Sequence, residues 1–352
     1  MNGAPHTDLS EAEPAVNPDE TSLLWPEDDD PRDRHERRRN RRVLLVALVL
    51  LLVPALAVGG YLGWLNHIVT ANVKQASLLP DSALPDANGA AAPQGLATKG
   101  TNYLIIGNDA GPGRSGARSD VMVLAHVPAD RSAVTLIHFP RDLWVPIPGH
   151  GKAKLNASYA YGGSPLLVTT MQQMLGVHID HVAMLGFEGF KAMTDAVGGV
   201  DVNVEEPSES SDGHVFTRGV MHMDGATALA FVRQRKELSE GDISRGRRQL
   251  AFIKALMLKT LSSSTLTNPV TVKDFLDAAT TNLTVDQNLD VGAMRSEAFA
   301  LRDLRGGDIR FITAPFSGFG TSGDGQSIDI VDVARMKELG QAIRQDDLAG
   351  YR

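Results

Sequence analysis

The sequence predicts an α/β fold, an α+β sandwich in which helices cover a central mixed β-sheet, preceded by a single transmembrane helix. Two observations predict this class. From residue 101 onward, short apolar segments rich in β-branched residues alternate with segments of helical spacing. Upstream, the 23 residues from Val43 to Leu65 carry no charged side chain. A helix of that length reaches about 35 Å and can cross a bilayer core of roughly 30 Å.

The residues before the apolar segment predict a disordered cytoplasmic tail, residues 1–42. Residues 1–31 contain nine Asp or Glu, five prolines and no Lys or Arg, so they cannot bury enough apolar surface to offset their ordering entropy. The basic end, residues 32–42, contains seven arginines and is expected to keep its side of the span in the cytoplasm. A cleaved signal peptide is the alternative, but its apolar core usually has only about 7–15 residues.

The rest of the chain is predicted to lie outside the cell membrane as a flexible linker and one domain. Residues 66–100 are rich in Ala, Pro, Gly and Asn, as linkers are. Residues 101–352 are numerous enough for one sizeable core. The absence of cysteine excludes disulfides, zinc–thiolate sites and a cysteine nucleophile, and the net charge of -8 argues against nucleic-acid binding.

The predicted sheet strands are short, apolar and bounded by Gly, Pro or Asp. They are Asn102–Gly107, Asp120–Val127, Ala133–Phe139, His181–Phe187, Val200–Val204 and Ile309–Thr313. A turn at Pro128–Arg131 predicts that the second and third strands form a hairpin. Capping residues and helical spacing predict the helices. These are Leu166–Leu175 after Ser164-Pro165, Glu188–Val197, Ala226–Val232 capped by Asp224, about Ile243–Leu261, one opened by Asn268-Pro269, and Ile330–Arg344. Phe316–Gly325 is predicted to be a flexible segment.

Charged residues surround a glycine-rich loop between the first two predicted strands. Asp109 follows the first strand, Arg118 and Asp120 lead into the second, and Arg141 follows the third. Carboxylates suit Mg²⁺, which completes its coordination shell with phosphate oxygens. Arginines bind the remaining phosphate oxygens through paired hydrogen bonds. The plainer alternative is that Asp109 caps a turn while Arg118 and Asp120 form a salt bridge.

A second basic cluster lies between residues 231 and 249. A helix beginning near Ile243 places four side chains on one face, namely Arg245, Arg248, Gln249 and Phe252. Because arginines at a helix N-terminus oppose the helix dipole, a bound anion is the simplest reason for their position. Arg233 and Arg235 would point about 200° apart on a continuous helix, so the helix is expected to end between them, or only one of them faces the site. The alternative is a solvated charged face.

Taken together, seven blocks of sequence resemble the LytR–CpsA–Psr family of cell-wall ligases. The resemblance covers residues 102–253, with a weaker extension to residue 344. The blocks are Y-L-I-I-G-N-D, R-S-D-V-M-V-L, H-F-P-R-D-L-W-V-P-I-P-G, K-L-N-A-S-Y-A-Y-G-G, D-A-V-G-G-V-D-V-N-V, M-D-G-A-T-A-L-A-F-V-R-Q-R and G-D-I-S-R-G-R-R-Q. A cytoplasmic tail, one span and an outer domain also match the family's layout.

The resemblance implies a phosphotransferase that acts outside the membrane. It would move a glycopolymer from a polyprenyl-pyrophosphate carrier to a peptidoglycan hydroxyl, typically on N-acetylmuramic acid, and form a phosphodiester. By this resemblance Asp109 and Asp120 bind Mg²⁺, with Mn²⁺ as the alternative. The implied pyrophosphate ligands are Arg118, Arg141, Arg233, Arg235, Arg245, Gln249 and Lys154. Among the metal and pyrophosphate ligands together, the predicted catalytic groups are Arg141, Asp120 and Arg235. Asp142 and Asp120 are the candidates for the general base.

Three positions depart from the family's pattern. Val121 and Leu143 stand where the family often has Ser or Thr, and Gly111 stands where it often has Arg, a role that Arg114 could take.

Two other functions fit the same residues: hydrolysis of the lipid pyrophosphate, and a membrane-anchored regulator of wall assembly that binds glycopolymer without catalysis. A DNA-binding regulator is disfavoured because the predicted topology places the basic cluster outside the cell.

Overall fold

The computed structural model describes residues 52, 56–81, 98–108, 119–235 and 237–351. The chain divides into two units, residues 1–62 and 63–352. In the first unit the described residues, 52 and 56–62, are helical. Within the described part of the chain, no helix is both long enough and apolar enough to cross a membrane. The predicted tail and much of the predicted span lie outside the described residues, so both stay predictions.

The second unit contains helices and strands throughout its length. In its described residues the strands are β1 Lys74–Ala76, β2 Thr101–Asn108, β3 Ser119–Val127, β4 Val134–His138, β5 Leu143–Ile147, β6 Gly151–Lys154, β7 His181–Gly186, β8 Val200–Val204, β9 Ser208–Glu209, β10 Val215–Phe216, β11 Gly219–Met223, β12 Leu283–Asp286, β13 Ile309–Thr313, β14 Phe316–Thr321 and β15 Ser327–Val331. After the helical residues 63–72, the helices are α1 Leu155–Leu175, α2 Phe187–Ala196, α3 Gly225–Arg233, α4 Asp242–Thr260, α5 Ser263–Leu266, α6 Pro269–Thr281, α7 Val291–Ala300 and α8 Val333–Gln345.

The main sheet is mixed, as predicted. Its described strands have the order β1-β12-β7-β2-β3-β4-β13. The pairs β2–β3 and β3–β4 are antiparallel, which confirms the predicted hairpin, whereas β7 and β13 run parallel to their neighbours β2 and β4. Strand β1 and the helical residues 66–72 lie within the segment predicted as linker, so the first part of that segment is ordered.

Period-2 alternation places two cores on opposite faces of the main sheet. Leu104 and Met122 contribute to a core under α1 and α8, and Ile105 and Val123 contribute to the core under α4. A third apolar cluster, which includes Phe231, packs between α3, α4 and the antiparallel β8–β11 pair. Helices therefore cover both faces of the sheet, the sandwich that the sequence predicts.

A second sheet, of order β14-β15-β5-β6 among the described residues, corrects two predictions. The predicted flexible segment Phe316–Gly325 contains β14, which pairs antiparallel with β15. The predicted closing helix was wrong at its start, because Ile330 lies in β15 and Asp332 caps α8 by accepting a hydrogen bond from the Arg335 amide. The apolar alternation of β15 runs directly into the helix, so only the cap separates the two elements.

The helix predicted to begin at Ser164 is the second half of a longer one. Helix α1 begins at Leu155 and is interrupted by Gly162 and Gly163, where φ reaches 64° at Gly163. The helix then resumes at Ser164-Pro165, the predicted cap and first position. The other capping predictions are confirmed, since Asp224 accepts from the Thr227 amide and Asn268 accepts from the first amides of α6.

Candidate functional site

Three of the predicted cations meet in one open cavity of about 480 Å³. Arg141 lies in the loop after β4, Lys154 is the last residue of β6, and Arg235 lies just beyond α3. Asp142 and Tyr161 also line this cavity, which we call the basic cleft. Residues far apart in the sequence thus converge at one end of the two sheets.

The loop that carries Arg141 is held by backbone hydrogen bonds. The Arg141 carbonyl accepts from the Asn156 amide at 3.1 Å, and the Asp142 carbonyl accepts from the Asp329 amide at 2.9 Å. The first bond ties the loop to α1 and the second ties it to β15. Because both neighbours are regular elements, the side chains of this loop enter the cleft from a fixed backbone.

Cations and carboxylates alternate from the cleft into the protein interior behind it. Lys154 Nζ lies 2.9 Å from Asp142 Oδ1, and Arg141 Nε lies 3.8 Å from the other Asp142 oxygen. Arg141 Nε also lies 3.4 Å from Asp242 Oδ1, the atom that Arg245 Nη2 contacts. The four cations of this region, Arg141, Lys154, Arg235 and Arg245, exceed the two carboxylates that touch them. The cleft therefore presents a surplus of positive charge to a ligand.

Two buried carboxyl groups, neither of them predicted from the sequence, lie behind the cleft. Burial is the main cause that raises the pKa of Asp242, and Asp142 raises it further, against Arg245 and Arg141. Burial, with the charges of Asp242 and Asp142, raises the pKa of Asp329 from 3.8 to about 6. Asp329 Oδ2 is buried without a hydrogen-bond partner among the described residues. Only the folding of β15 against β5 brings Asp329 to the site.

The first turn of α4 approaches the sheet closely at His138. A Cβ on Gly246 would lie 2.3 Å from the His138 ring, so only glycine allows this packing. Burial, and next the charge of Arg245, lowers the pKa of His138 to about 3. His138 is therefore neutral and adds no charge beside Arg245. This contact sets the distance between the main sheet and the first turn of α4, which carries Asp242 and Arg245.

The four side chains predicted to share one face of α4 are all buried, which contradicts the solvated-face alternative, but their contacts differ. Arg245, Arg248, Gln249 and Phe252 are each less than 7% exposed. Arg248 lies 4.6 Å from the Phe231 ring centroid and donates to the Glu206 carbonyl and Ser208 Oγ. The Gln249 amide donates to the Val232 carbonyl at 3.4 Å. Neither Arg248 nor Gln249 lines the basic cleft, so of this face Arg245 lies nearest to it, through Asp242.

Helix α3 ends between the two arginines that follow Phe231, as one of the two predictions required. Arg233 is the last residue of α3, is exposed, and lies 5.0 Å over the Phe187 ring. Arg235 follows the end of the helix and faces the basic cleft. Of this pair the structure brings Arg235, and not Arg233, to the lining of the cleft.

The predicted metal-binding loop is only partly described. Asp109 and Arg118 lie outside the described residues, and Asp120 lies in β3. The residue before Asp109 in the sequence, Asn108, pairs with Ser119, the residue before Asp120. As hard oxygen donors the two aspartates suit Mg²⁺ by their chemistry, and their side chains lie outside the described part of the structure. Among the described residues, no group of three or more His, Asp or Glu side chains could hold a metal ion.

The fold and the cleft define a class of protein: an α/β sandwich whose open cleft is lined by two arginines and a lysine, side chains whose chemistry suits an anionic group. The chain belongs to the LytR_cpsA_psr family, whose model matches residues 66–345.

Known proteins of this family resemble the chain over its folded part. It is 32% identical over 61% of its length to the cell wall biosynthesis protein LcpA of Corynebacterium glutamicum, and this match spans 46% of that relative. It is 33% identical over 69% of its length to the polyisoprenyl-teichoic acid–peptidoglycan teichoic acid transferase TagU of Enterococcus faecalis, covering 78% of that protein. The solved structure of TagT bound to LI-WTA is 27% identical, with a TM-score of 0.57 over 71% of this chain and 91% of TagT.

Proposed function

We propose that this protein is a phosphotransferase that moves a glycopolymer from a polyprenyl-pyrophosphate carrier to a hydroxyl group of peptidoglycan. The single observation that carries the proposal is the convergence of Arg141, Lys154 and Arg235 on one cleft. The similarity to TagU, a teichoic acid transferase, and to TagT supports the choice of substrate class. In this proposal the acceptor is N-acetylmuramic acid, as the family resemblance implies.

The cleft supplies the charge that phosphoryl transfer requires. The acceptor oxygen attacks the phosphorus next to the glycopolymer, and the bond from this phosphorus to the bridging oxygen breaks. Polyprenyl phosphate then leaves with the added negative charge. Arg141, Lys154 and Arg235 would stabilise that charge, and Arg245 would add its field from behind Asp242.

Arg118, Arg233 and Gln249 complete the proposed set of pyrophosphate ligands by resemblance. Arg233 and Gln249 do not line the cleft as described, so a ligand would reach them only if α3 and α4 shift on binding. Asp109 and Asp120 would hold Mg²⁺, or Mn²⁺ in its place. The bound ion would neutralise charge on the pyrophosphate.

A carboxylate in the cleft would take the proton of the acceptor hydroxyl. Asp142 lines the cleft, and Lys154, 2.9 Å away, orients it. Asp120 is the second candidate. The proton leaves the acceptor oxygen as its bond to phosphorus forms, so the base must lie beside that oxygen and not beside the leaving group.

The proposed path of the polyprenyl chain runs between the main sheet and α4. Ile105, Val121 and Met257 are apolar and only partly buried there. Val121 follows the proposed metal ligand Asp120 in β3. An isoprenoid chain in this space would therefore begin near the proposed pyrophosphate site, with its apolar surface removed from water.

The reaction needs the domain outside the cell and the chain anchored by its predicted span. The test is product analysis with the full-length protein in lipid nanodiscs, a short-chain polyprenyl-pyrophosphate glycan, Mg²⁺ and peptidoglycan oligomers. We expect glycan phosphate on the oligomers and release of polyprenyl phosphate, both lost in Arg141→Ala.

Two outcomes of the same assay would contradict the transferase. Polyprenyl phosphate released equally with and without oligomers, and no labelled oligomer, would make the protein a pyrophosphate hydrolase. Donor binding without turnover would instead favour a non-catalytic, glycopolymer-binding regulator of wall assembly.

A further inference from the structure

The helical residues that follow the predicted span are attached to α6 and α7 by side-chain hydrogen bonds. Arg295 Nη1 in α7 donates to Asn66 Oδ1 at 3.2 Å. One to two turns further along, Asn72 Nδ2 donates to Asp277 Oδ1 at 2.9 Å and to Thr280 Oγ1 at 3.2 Å in α6. Asn66 is the first residue after the uncharged segment that ends at Leu65. Helix α7 therefore contacts the chain at the point where the predicted span leaves the bilayer.

Helix α7 has an apolar side chain that the fold does not cover. None of its ten residues is buried in the described part of the chain. Phe299 is 66% exposed, four residues after Arg295 and so on the same side of the helix. The guanidinium of Arg302 lies 4.0 Å above the Phe299 ring. We call Arg295, Phe299 and Arg302 the α7 edge.

The chemistry of the α7 edge fits the interface between lipid headgroups and acyl chains. An aromatic ring gains free energy there by leaving water, and an arginine beside it reaches the phosphates. The acidic neighbours do not prevent this contact. Glu297 pairs with Arg131 at 3.1 Å, and Asp303 lies 3.5 Å from Arg302 at the exposed rim.

We propose that the α7 edge docks on the outer leaflet of the membrane that carries the protein's own span, with the Phe299 ring inserted among the lipids. This inference rests on the proposed membrane location. Docking would hold the domain at a fixed height and orientation above the bilayer. The lipid-linked donor would then meet the domain from a constant direction.

Fluorescence quenching tests the proposal because the chain has no native cysteine. The full-length protein receives one cysteine at Ala298, an exposed position in α7, labelled with an NBD fluorophore. It is reconstituted in liposomes of phosphatidylcholine and phosphatidylglycerol that contain nitroxide-labelled lipids. The matched control is Val220→Cys, since Val220 is 74% exposed in β11.

We expect the lipid nitroxides to quench the label at 298 at least about threefold more than the label at 220. Phe299→Ser should abolish that difference, and Phe299→Leu should retain it. Equal quenching at 298 and 220, in protein that floats with the liposomes, would overturn the docking proposal alone. Protein that does not float with the liposomes would overturn the predicted span as well, and so separates the two failures. If the Ala298→Cys variant does not fold, Ser296→Cys, also exposed in α7, takes its place.

Discussion

Arg247 and Arg248 are neighbours in α4, yet their surroundings differ. Arg247 is 45% exposed and pairs with the exposed Glu240. Arg248 is 5% exposed, lies against Phe231 and Phe216, and donates to Glu206 and Ser208. Burial is also the main cause that lowers the pKa of the Arg248 guanidinium. Arg248 therefore acts as a structural connection between α4 and the small strands.

Arg248→Ala should lower the free energy of unfolding far more than Arg247→Ala does. For Arg248→Ala we expect a loss of about 2–4 kcal/mol in the free energy of unfolding, because two stacking contacts and two charged hydrogen bonds disappear. For Arg247→Ala we expect a change within about 0.5 kcal/mol, as for other exposed ion pairs. Denaturant unfolding of both variants measures the difference. Equal losses would contradict the structural role of Arg248.

Asp329 should make stability depend on pH in the weakly acidic range. Its pKa is about 6 in the fold, above its ordinary value of 3.8, so the folded state binds the proton more tightly. The resulting stability is present in full below pH 3.8 and is lost as the pH rises through 6. Asp329→Asn should therefore raise the melting temperature at pH 7.5, with a gain on the order of 1–3 kcal/mol.

The control for Asp329→Asn is the same comparison in acid. Below about pH 3, Asp329 is protonated in both the folded and the unfolded wild type and the asparagine is uncharged, so the two melting temperatures should nearly coincide. Thermal melts across this range provide the measurement. A variant that is less stable than the wild type at pH 7.5 would mean that ionised Asp329 stabilises the fold, contrary to this account.

At the scale of elements, the close packing of α4 on β4 depends on Gly246. Alanine is the better helix former by about 1 kcal/mol, but its Cβ would overlap the His138 ring. We expect Gly246→Ala to lower the free energy of unfolding by about 1–3 kcal/mol and to reduce transfer activity, because Asp242 and Arg245 move with the helix. Gly186→Ala is the control, since its Cβ meets no atom within 4 Å. A Gly246→Ala protein as stable as the wild type would contradict the packing.

Local signals explain which elements the sequence could predict. Strands β2, β3 and β4 have strong apolar patterns, and the caps Asp224 and Asn268 define their helices without help from distant residues. The second sheet was missed for the opposite reason. Pro146 lies inside β5 and weakens its strand pattern in the sequence, and β15 finds its place by pairing in parallel with β5, about 185 residues away. Long-range pairing of that kind leaves no local pattern.

The residues of the site likewise divide into those that local sequence predicts and those that depend on tertiary packing. Arg141, Lys154 and Arg235 were predicted from motifs and meet in the cleft. Asp329 was missed because its role depends on burial, which only tertiary packing decides. A single carboxyl in an apolar strand pattern was the one available signal, since a buried acid is costly without a purpose. The motifs that contain Arg233 and Gln249 could not show that these side chains contact Phe187 and the Val232 carbonyl.

In the whole molecule, the proposed function requires the folded domain and the acidic tail to lie on opposite sides of the membrane. Single cysteines test this in intact cells with a membrane-impermeant maleimide. Val220→Cys, which is exposed, should be labelled without permeabilisation, and Ser10→Cys in the tail should be labelled only after it. The arginines of residues 32–42 are the physical reason, because they resist translocation. Labelling of Ser10→Cys without permeabilisation, and of Val220→Cys only after it, would show the opposite topology.

If the basic cleft binds and activates the donor pyrophosphate, two lysines of β6 should differ sharply in their contribution to transfer. Lys154 contacts Asp142 in the cleft, whereas Lys152, two residues earlier in the same strand, is exposed and is not among the residues that line it. The measurement is the single-turnover rate of glycan transfer to peptidoglycan oligomers by full-length Lys154→Ala and Lys152→Ala. We expect a loss on the order of 100-fold for Lys154→Ala and a rate within about twofold of wild type for Lys152→Ala. Equal rates for the two folded variants would contradict this role of the basic cleft.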